Sequence, residues 1–364
     1  MILKKTVLIS TILILILGMS ATMLKPVKAT GFQSPSNAEI LQGEVQDNTG
    51  FAGVGTYTIG TFWAYTPAPN DDVLYGGHVG QTGTTFTSIQ VTDTQTEYVT
   101  SSNSKNGDPG YTVKNLDDYS YVTASGPTWE TVSWTTDENL LVTLYINIQG
   151  TTTADSLVQI TVTVQNNDPY NDHSVGIRQL WDVAIGYITD TGYDCPYIRP
   201  WTDPMTPQSW THFETEWDSP TFQFWEITNP QKPPSYSMYG SVSSSWPLGV
   251  STPTTPPDKL MYVNWYGVQG TAYGYTPTIG QDLTTTYPEG DSAVVYYWNP
   301  ATISKGGSQI SRTAYIGTFG PSSLPNFVVP EVPWGTIIAA TAMIAALGSY
   351  LLVPRFRRPK QLSS

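Results

Sequence analysis

The sequence predicts an all-β fold, a large antiparallel sandwich, joined to one C-terminal membrane-spanning helix. Three observations carry the prediction. Only 12% of the 364 residues are charged, while 31 glycines, 28 prolines, 23 tyrosines and 12 tryptophans give the composition of short strands joined by turns. Several internal runs alternate apolar and polar side chains with a period of two, the period of a half-buried strand. Both ends of the chain carry uncharged apolar stretches next to basic residues, as export and membrane segments do.

The N-terminal segment, residues 1–29, reads as a signal peptide. Lys4 and Lys5 form a positive start, the run from Thr6 to Met19 is apolar, and Val27-Lys28-Ala29 offers small residues at cleavage spacing. An uncleaved signal anchor is the alternative. At the other end, Gly335 to Val353 carries no charge. As a helix it would span about 28 Å, close to a bilayer core. Trp334 and Tyr350 sit near its edges, and Arg355, Arg357, Arg358 and Lys360 follow at once. Aromatic rings favour the interface and basic residues stay cytoplasmic. The predicted division is therefore a signal peptide at 1–29, an ectodomain at 30–325, a Pro-rich spacer at 326–333, a transmembrane helix at 334–353 and a basic tail at 354–364. A buried core helix is the other reading of the apolar stretch.

Charge is uneven. Between residues 30 and 333 lie eight basic residues and all 29 acidic ones, a net of −21. Such a surface repels polyanions and excludes nucleic acid as a partner. It suits solubility in a salt-rich medium, or bound Ca²⁺. Cys195 is the only cysteine, so no intrachain disulfide staples the body. With Arg199 as its one basic neighbour in sequence, it reads as an inert thiol. No Asn-x-Ser/Thr sequon occurs.

The clearest strands are Leu140–Ile148, with Val142, Leu144, Ile146 and Ile148 on one face, and Ser156–Val164, with Val158, Ile160, Val162 and Val164 inward. The stretch from Gly150 to Asp155 joins them as a hairpin loop. Gly53–Tyr65, Thr84–Val91, Val175–Tyr187, Lys259–Tyr266, Ser292–Trp298 and Arg312–Thr318 are further strands. Pro-rich stretches at 196–208, 229–235 and 247–257 read as surface excursions, and nothing divides residues 40–320 into two domains.

Two resemblances add to this. Val329-Pro330-Glu331-Val332-Pro333, the apolar stretch and the basic tail together resemble the three-part C-terminal sorting signals of prokaryotic, especially archaeal, surface proteins. That likeness implies recognition of the short motif and removal of the tail; a retained single-pass helix is the alternative. In the body, the pattern runs Val175-Gly176-Ile177-Arg178, Asp182, the loop Thr189-Asp190-Thr191-Gly192, Pro257-Asp258-Lys259 and Asn264-Trp265. It continues with Asp291-Ser292-Ala293-Val294 and Tyr315-Ile316-Gly317. This is similar to an uncharacterised family of exported prokaryotic β domains. The likeness implies a β-supersandwich of the galactose mutarotase-like kind and no established activity. The sequence departs at the loop, where the family has Asn-Asp-Gly.

Three groups of side chains are candidate sites. Glu214 and Glu216 alternate on a strand with His212, among Trp201, Trp210, Trp217 and Trp225. Paired carboxylates with aromatic platforms suit sugar binding or glycoside cleavage, so Trp210, His212, Glu214, Glu216 and Trp217 form the candidate binding set. An acidic surface over an aromatic core is the plainer reading. Asp182, Asp190 and Asp194 around Gly192 offer hard oxygen ligands for Ca²⁺, as does the Asn/Asp cluster at 166–172, though Asx residues also build turns. Arg178 and Asp182 share a strand face about 13 Å apart, too far to pair. Each then needs another partner such as Asp258 or Asp291, giving a structural buried ion pair. No HExxH, GxSxG or GxxxxGK[ST] motif occurs.

The sequence thus predicts a non-catalytic cell-surface or envelope protein that contacts membrane lipid through one helix. Its external partners would be surface polysaccharide or other envelope proteins. A carbohydrate-active enzyme on the same fold is one alternative. An extracytoplasmic subunit of a membrane complex, packed through Ala339, Ala342, Ala346 and Gly348, is another.

Overall fold

The computed structural model describes residues 41–45, 55–61, 73–74, 84–100, 106–150, 157–184, 197–203, 206–228, 237–247, 249–285 and 291–319. The predicted signal peptide, spacer, membrane helix and basic tail lie outside the described residues, as do His78, Asp190, Asp194 and Cys195. Among the described residues no helix is long and apolar enough to cross a membrane.

The chain forms β1 (Leu41–Val45), β2 (Tyr57–Thr61), β3 (Phe86–Val91), β4 (Thr96–Val99), β5 (Thr112–Asn115), β6 (Tyr121–Ser125), β7 (Trp129–Thr135), β8 (Leu140–Gln149) and β9 (Leu157–Asn166). It continues with β10 (His173–Val183), β11 (Tyr197–Asp203), β12 (Thr206–Pro207), β13 (Thr215–Asp218), β14 (Phe224–Thr228), β15 (Ser237–Ser241), β16 (Lys259–Asn264), β17 (Ser292–Ile303) and β18 (Ser308–Phe319). One short α-helix, α1, spans Trp265–Val268, and a single 3-10 turn spans Leu116–Asp118.

Two large sheets result. A seven-stranded sheet runs β13-β16-β17-β10-β3-β4-β5, and a nine-stranded sheet runs β12-β11-β14-β15-β18-β9-β8-β7-β6. Every neighbouring pair is antiparallel except β4 and β5, which run parallel. The chain passes between the two sheets from β5 to β6, β9 to β10, β10 to β11, β12 to β13, β13 to β14, β15 to β16 and β17 to β18, so both sheets are built from distant parts of the sequence. The predicted all-β sandwich is what the described residues form.

The period-two pattern explains the layers. In β8 buried and half-buried residues alternate along its whole length. Val142, Leu144, Ile146 and Ile148 point inward and meet Val175, Ile177, Trp181, Val294 and Tyr296 of the other sheet in one core. Burial of each such side chain contributes roughly 1.5–3 kcal/mol. Polar tips in this core are bonded across it. Trp225 Nε1 donates to Tyr296 Oη at 2.7 Å, and that hydroxyl donates to the Ser241 carbonyl at 2.8 Å. Trp181 Nε1 donates to Tyr57 Oη, which donates to Gln179 Oε1. The first set fixes how the two large sheets face each other more tightly than apolar contact alone, and the second ties β2, of a separate two-stranded sheet, to β10.

Two glycines are needed by close approach. A Cβ on Gly240 would lie 2.1 Å from Trp225 Cζ2, and one on Gly317 would lie 2.2 Å from Tyr239 Cζ. A strand glycine here makes room for a neighbouring ring.

The structure corrects the reading of 196–208 as an excursion, since residues Tyr197–Asp203 are β11, paired with β14 despite Pro200. Its far neighbour β12 is only two residues long, so the proline sits next to the sheet edge, where a missing N–H is tolerated. The strand from Lys259 stops at Asn264, whose side chain caps α1 by accepting from Gly267 N.

Candidate functional site

Three buried ionisable groups, Glu97, Arg178 and Asp182, lie on the outer face of the seven-stranded sheet. Alternation puts Phe86, Ser88 and Gln90 of β3, Arg178, Leu180 and Asp182 of β10, and Ala293, Val295 and Tyr297 of β17 on that face. Residues 264–285 cross it as a strap. Under the strap lies a second core of Phe86, Leu180, Met261, Val263, Val268, Tyr273 and Tyr297.

Arg178 sits at the centre and is fully buried. Its Nη1 donates to the Thr271 carbonyl at 2.8 Å and to Thr271 Oγ1 at 3.0 Å, and Nη2 donates to the Val268 carbonyl at 3.1 Å. The guanidinium lies 5.6 Å from the Phe86 ring centre and 5.8 Å from that of Tyr297. Burial lowers its pKa from the ordinary value, against the fields of Tyr297, Tyr273, Glu97 and Asp108. The sequence predicted a carboxylate partner, Asp258 or Asp291. Neither is within ion-pair distance, and Arg178 is held by strap carbonyls and rings. Asp258 is an exposed turn residue whose Oδ2 accepts from Asn299 N at 2.7 Å.

Asp182 and Asp291 do meet. Asp182 is opposite Ala293 in the β10–β17 register, and Asp291 immediately precedes β17. Burial pushes the Asp182 carboxyl well above the usual range, and the negative charge of Asp291 adds to the push, while a Thr84 hydrogen bond opposes it. Burial also pushes Asp291 up to about 7. Both carboxyls therefore hold a proton more readily than free aspartates do. For the predicted cation set, Asp190 and Asp194 lie outside the described residues, and among those described no group of three or more potential ligands forms.

The predicted binding set is spread over one side of the sandwich. The stretch from β12 to β13 passes from the edge of one sheet to the edge of the other. Trp210 packs on the Arg199 guanidinium at 4.1 Å from its ring centre, and Arg199 lies 4.8 Å from the Trp201 ring. Arg199 Nε and Trp201 Nε1 both donate to Glu226 Oε2, at 2.7 and 2.8 Å. His212 sits beside Tyr197 and Phe213, with Nε2 3.6 Å from Asp282 Oδ1. Trp217 meets Phe222 edge-on at the rim of the main core.

The two glutamates have different environments. Glu214 is buried; its Oε1 accepts from Asn264 N at 2.8 Å and its Oε2 from Thr278 N at 2.6 Å. It ties both ends of the strap to β13. Glu216 is part-exposed and pairs with Lys259 Nζ at 3.3 Å. The pair of carboxylates that a glycosidase needs on either side of a substrate does not form here.

No family model matches this chain. No curated protein matches it either.

Two constellations escaped the sequence reading. Gln90 Nε2 donates to Glu97 Oε1 and to Asp108 Oδ2, both at 2.9 Å, and Asp108 Oδ1 accepts from Gly274 N of the strap. The three residues belong to β3, β4 and the turn before β5, and no motif spacing links them. At one end of the sandwich, buried His173 lies between two acids, with Nδ1 2.7 Å from Asp93 Oδ2 and Nε2 3.4 Å from Asp168 Oδ2. There the Asn/Asp run at 166–172 builds turns: Asp168 Oδ1 accepts from Tyr170 N, and Asn166 Oδ1 accepts from Asp168 N.

Proposed function

We propose that the chain is an exported, membrane-anchored surface or envelope protein whose β-supersandwich-like body has a structural or binding role. The observation that carries this reading is the run without charge from Gly335 to Val353 followed directly by four basic residues, after a body with net charge −21 between residues 30 and 333. The positive-inside rule then orients the body outward. The non-catalytic part is supported by Glu214, whose two oxygens are occupied by backbone N–H groups, and by its separation in role from Glu216. Within this reading, polysaccharide recognition falls to the part-exposed Trp210 stacked on Arg199, because a ring held flat by a cation presents its other face to a sugar. Calcium binding would require Asp190 and Asp194 to join Asp182 and to displace its proton.

The test is fractionation. The full-length chain, expressed with its own N-terminal segment, should sediment with membranes and be released only by detergent. The chain stopped after residue 325 should appear folded in the medium. Full-length protein in the soluble cytosolic fraction would overturn the proposal.

A further inference from the structure

The strap over the outer face is held by carboxylate and guanidinium side chains. Asp108 accepts from Gly274 N, Glu214 from Asn264 N and Thr278 N, and Arg178 donates to Val268 and Thr271 carbonyls. The Gly274 end has a particular arrangement. Glu97 is fully buried, and one amide nitrogen, Gln90 Nε2, serves both its Oε1 and Asp108 Oδ2. Its Oε2 accepts from Asp108 N at 3.2 Å. Two acids thus converge on the two N–H groups of one amide, directly beneath a strap residue at which a Cβ would not fit, since one on Gly274 would lie 2.2 Å from Asp108 Oδ1.

We propose that the strap is a pH-set cover: Glu97 and Asp108, bridged by Gln90, hold its Gly274 end down, and the end loosens when Glu97 gives up its proton and its charge repels Asp108. Two like charges held by one amide, one buried and one half-buried, repel each other. The groups facing Glu97 are Asp108 and Tyr111 from the turn before β5, Arg178 from β10, Tyr297 from β17 and Tyr273 from the strap. Arg178 is the one cation among them, and its donors at Nη1 and Nη2 are spent on the strap. Burial of Glu97, the first cause, outweighs the hydrogen bond from Gln90, and the Asp108 charge adds to it, so Glu97 keeps its proton above the ordinary 4.5. The closed strap is therefore favoured at acid pH and loses that support as pH rises through the shifted value. Lifting it uncovers Phe86 and Tyr297 around Arg178, an aromatic face with a cation at its centre.

The test is amide hydrogen exchange of the full-length chain in detergent, corrected for the intrinsic pH dependence of exchange. The readout is the Gly274 and Ala272 amides, bonded to Asp108 and to the Asn106 carbonyl, referred to β8 and β9 amides. The Trp265 end lies near Asp182 and Asp291 and is not the readout. Between pH 5 and pH 8 the relative opening of these two amides should rise, by up to about tenfold per pH unit inside the window. Glu97→Gln should flatten that rise and keep the strap protected at pH 8. If that variant does not fold, Asp108→Asn, which keeps an acceptor for Gly274, should do the same. Equal relative protection at pH 5 and pH 8 in the unmodified chain, or the original slope persisting in the variant that folds, would overturn the proposal.

Discussion

Glu214 and Glu216 stand two residues apart and should respond very differently to truncation. In Glu214→Ala, Asn264 N loses its side-chain acceptor at 2.8 Å in a buried place, and Thr278 N loses one at 2.6 Å in a part-buried place. The buried orphan costs about 1–3 kcal/mol and the part-buried one less, so the loss is roughly 3 kcal/mol. For a body of this size about 2 °C of melting temperature accompanies each kcal/mol, which predicts a fall of about 6 °C. Glu216→Ala removes a part-exposed pair with Lys259 and should cost less than about 1 kcal/mol, or about 2 °C. Differential scanning calorimetry of the two variants beside the parent, at one pH and one detergent concentration, reads both. A Glu214→Ala melting temperature within about 2 °C of the parent would refute the assignment of Glu214 as a strap anchor and return it to the pool of functional carboxylates.

Three further outcomes are expected. Asp291→Asn should stabilise the protein at pH 8–9 and leave it unchanged near pH 4. The Asp291 carboxyl, raised from 3.8 to about 7, contributes its full stability below 3.8 and loses it as pH rises through 7. The gain is on the order of 2–4 kcal/mol, measured by urea unfolding across that range. Gly240→Ala should destabilise by about 2 kcal/mol or more, because its Cβ meets the Trp225 ring at 2.1 Å and overpacking carries that cost; tryptophan fluorescence during unfolding reports it. Arg178→Ala should cost about 3–5 kcal/mol, through a cavity between two rings and unpaired strap carbonyls. It should also raise exchange at the amides of residues 268–274 above that of β8.

The main β ladders were legible because their physics is local. In β8 and β9 the inward set follows from alternation alone, and those residues are the core. The long β10, β17 and β18 were legible for the same reason. Short strands such as β4 and β5 were not, since four residues carry too little periodicity to separate a strand from a turn. Pro200 disguised β11 by removing one donor near a sheet edge. At the candidate site, the sequence placed Arg178 and Asp182 on one face and named Asp291 among the partners. It could not tell that Asp291 meets Asp182 while Arg178 takes carbonyls from a segment about 90 residues away. Side chain to backbone bonds leave no signature in residue identity. The same limit hid Gln90, Glu97 and Asp108, and made Glu214 look available for chemistry when its oxygens belong to the strap.

The account as a whole stands on the body lying outside a membrane with the basic tail within. Cysteines at two positions test it directly, in a Cys195→Ser background: Ser304→Cys, in the exposed turn between β17 and β18, and Ser363→Cys in the tail. On intact cells a membrane-impermeant maleimide should label the first at once and the second only after lysis. Labelling of both without lysis, or of neither until lysis, would contradict it.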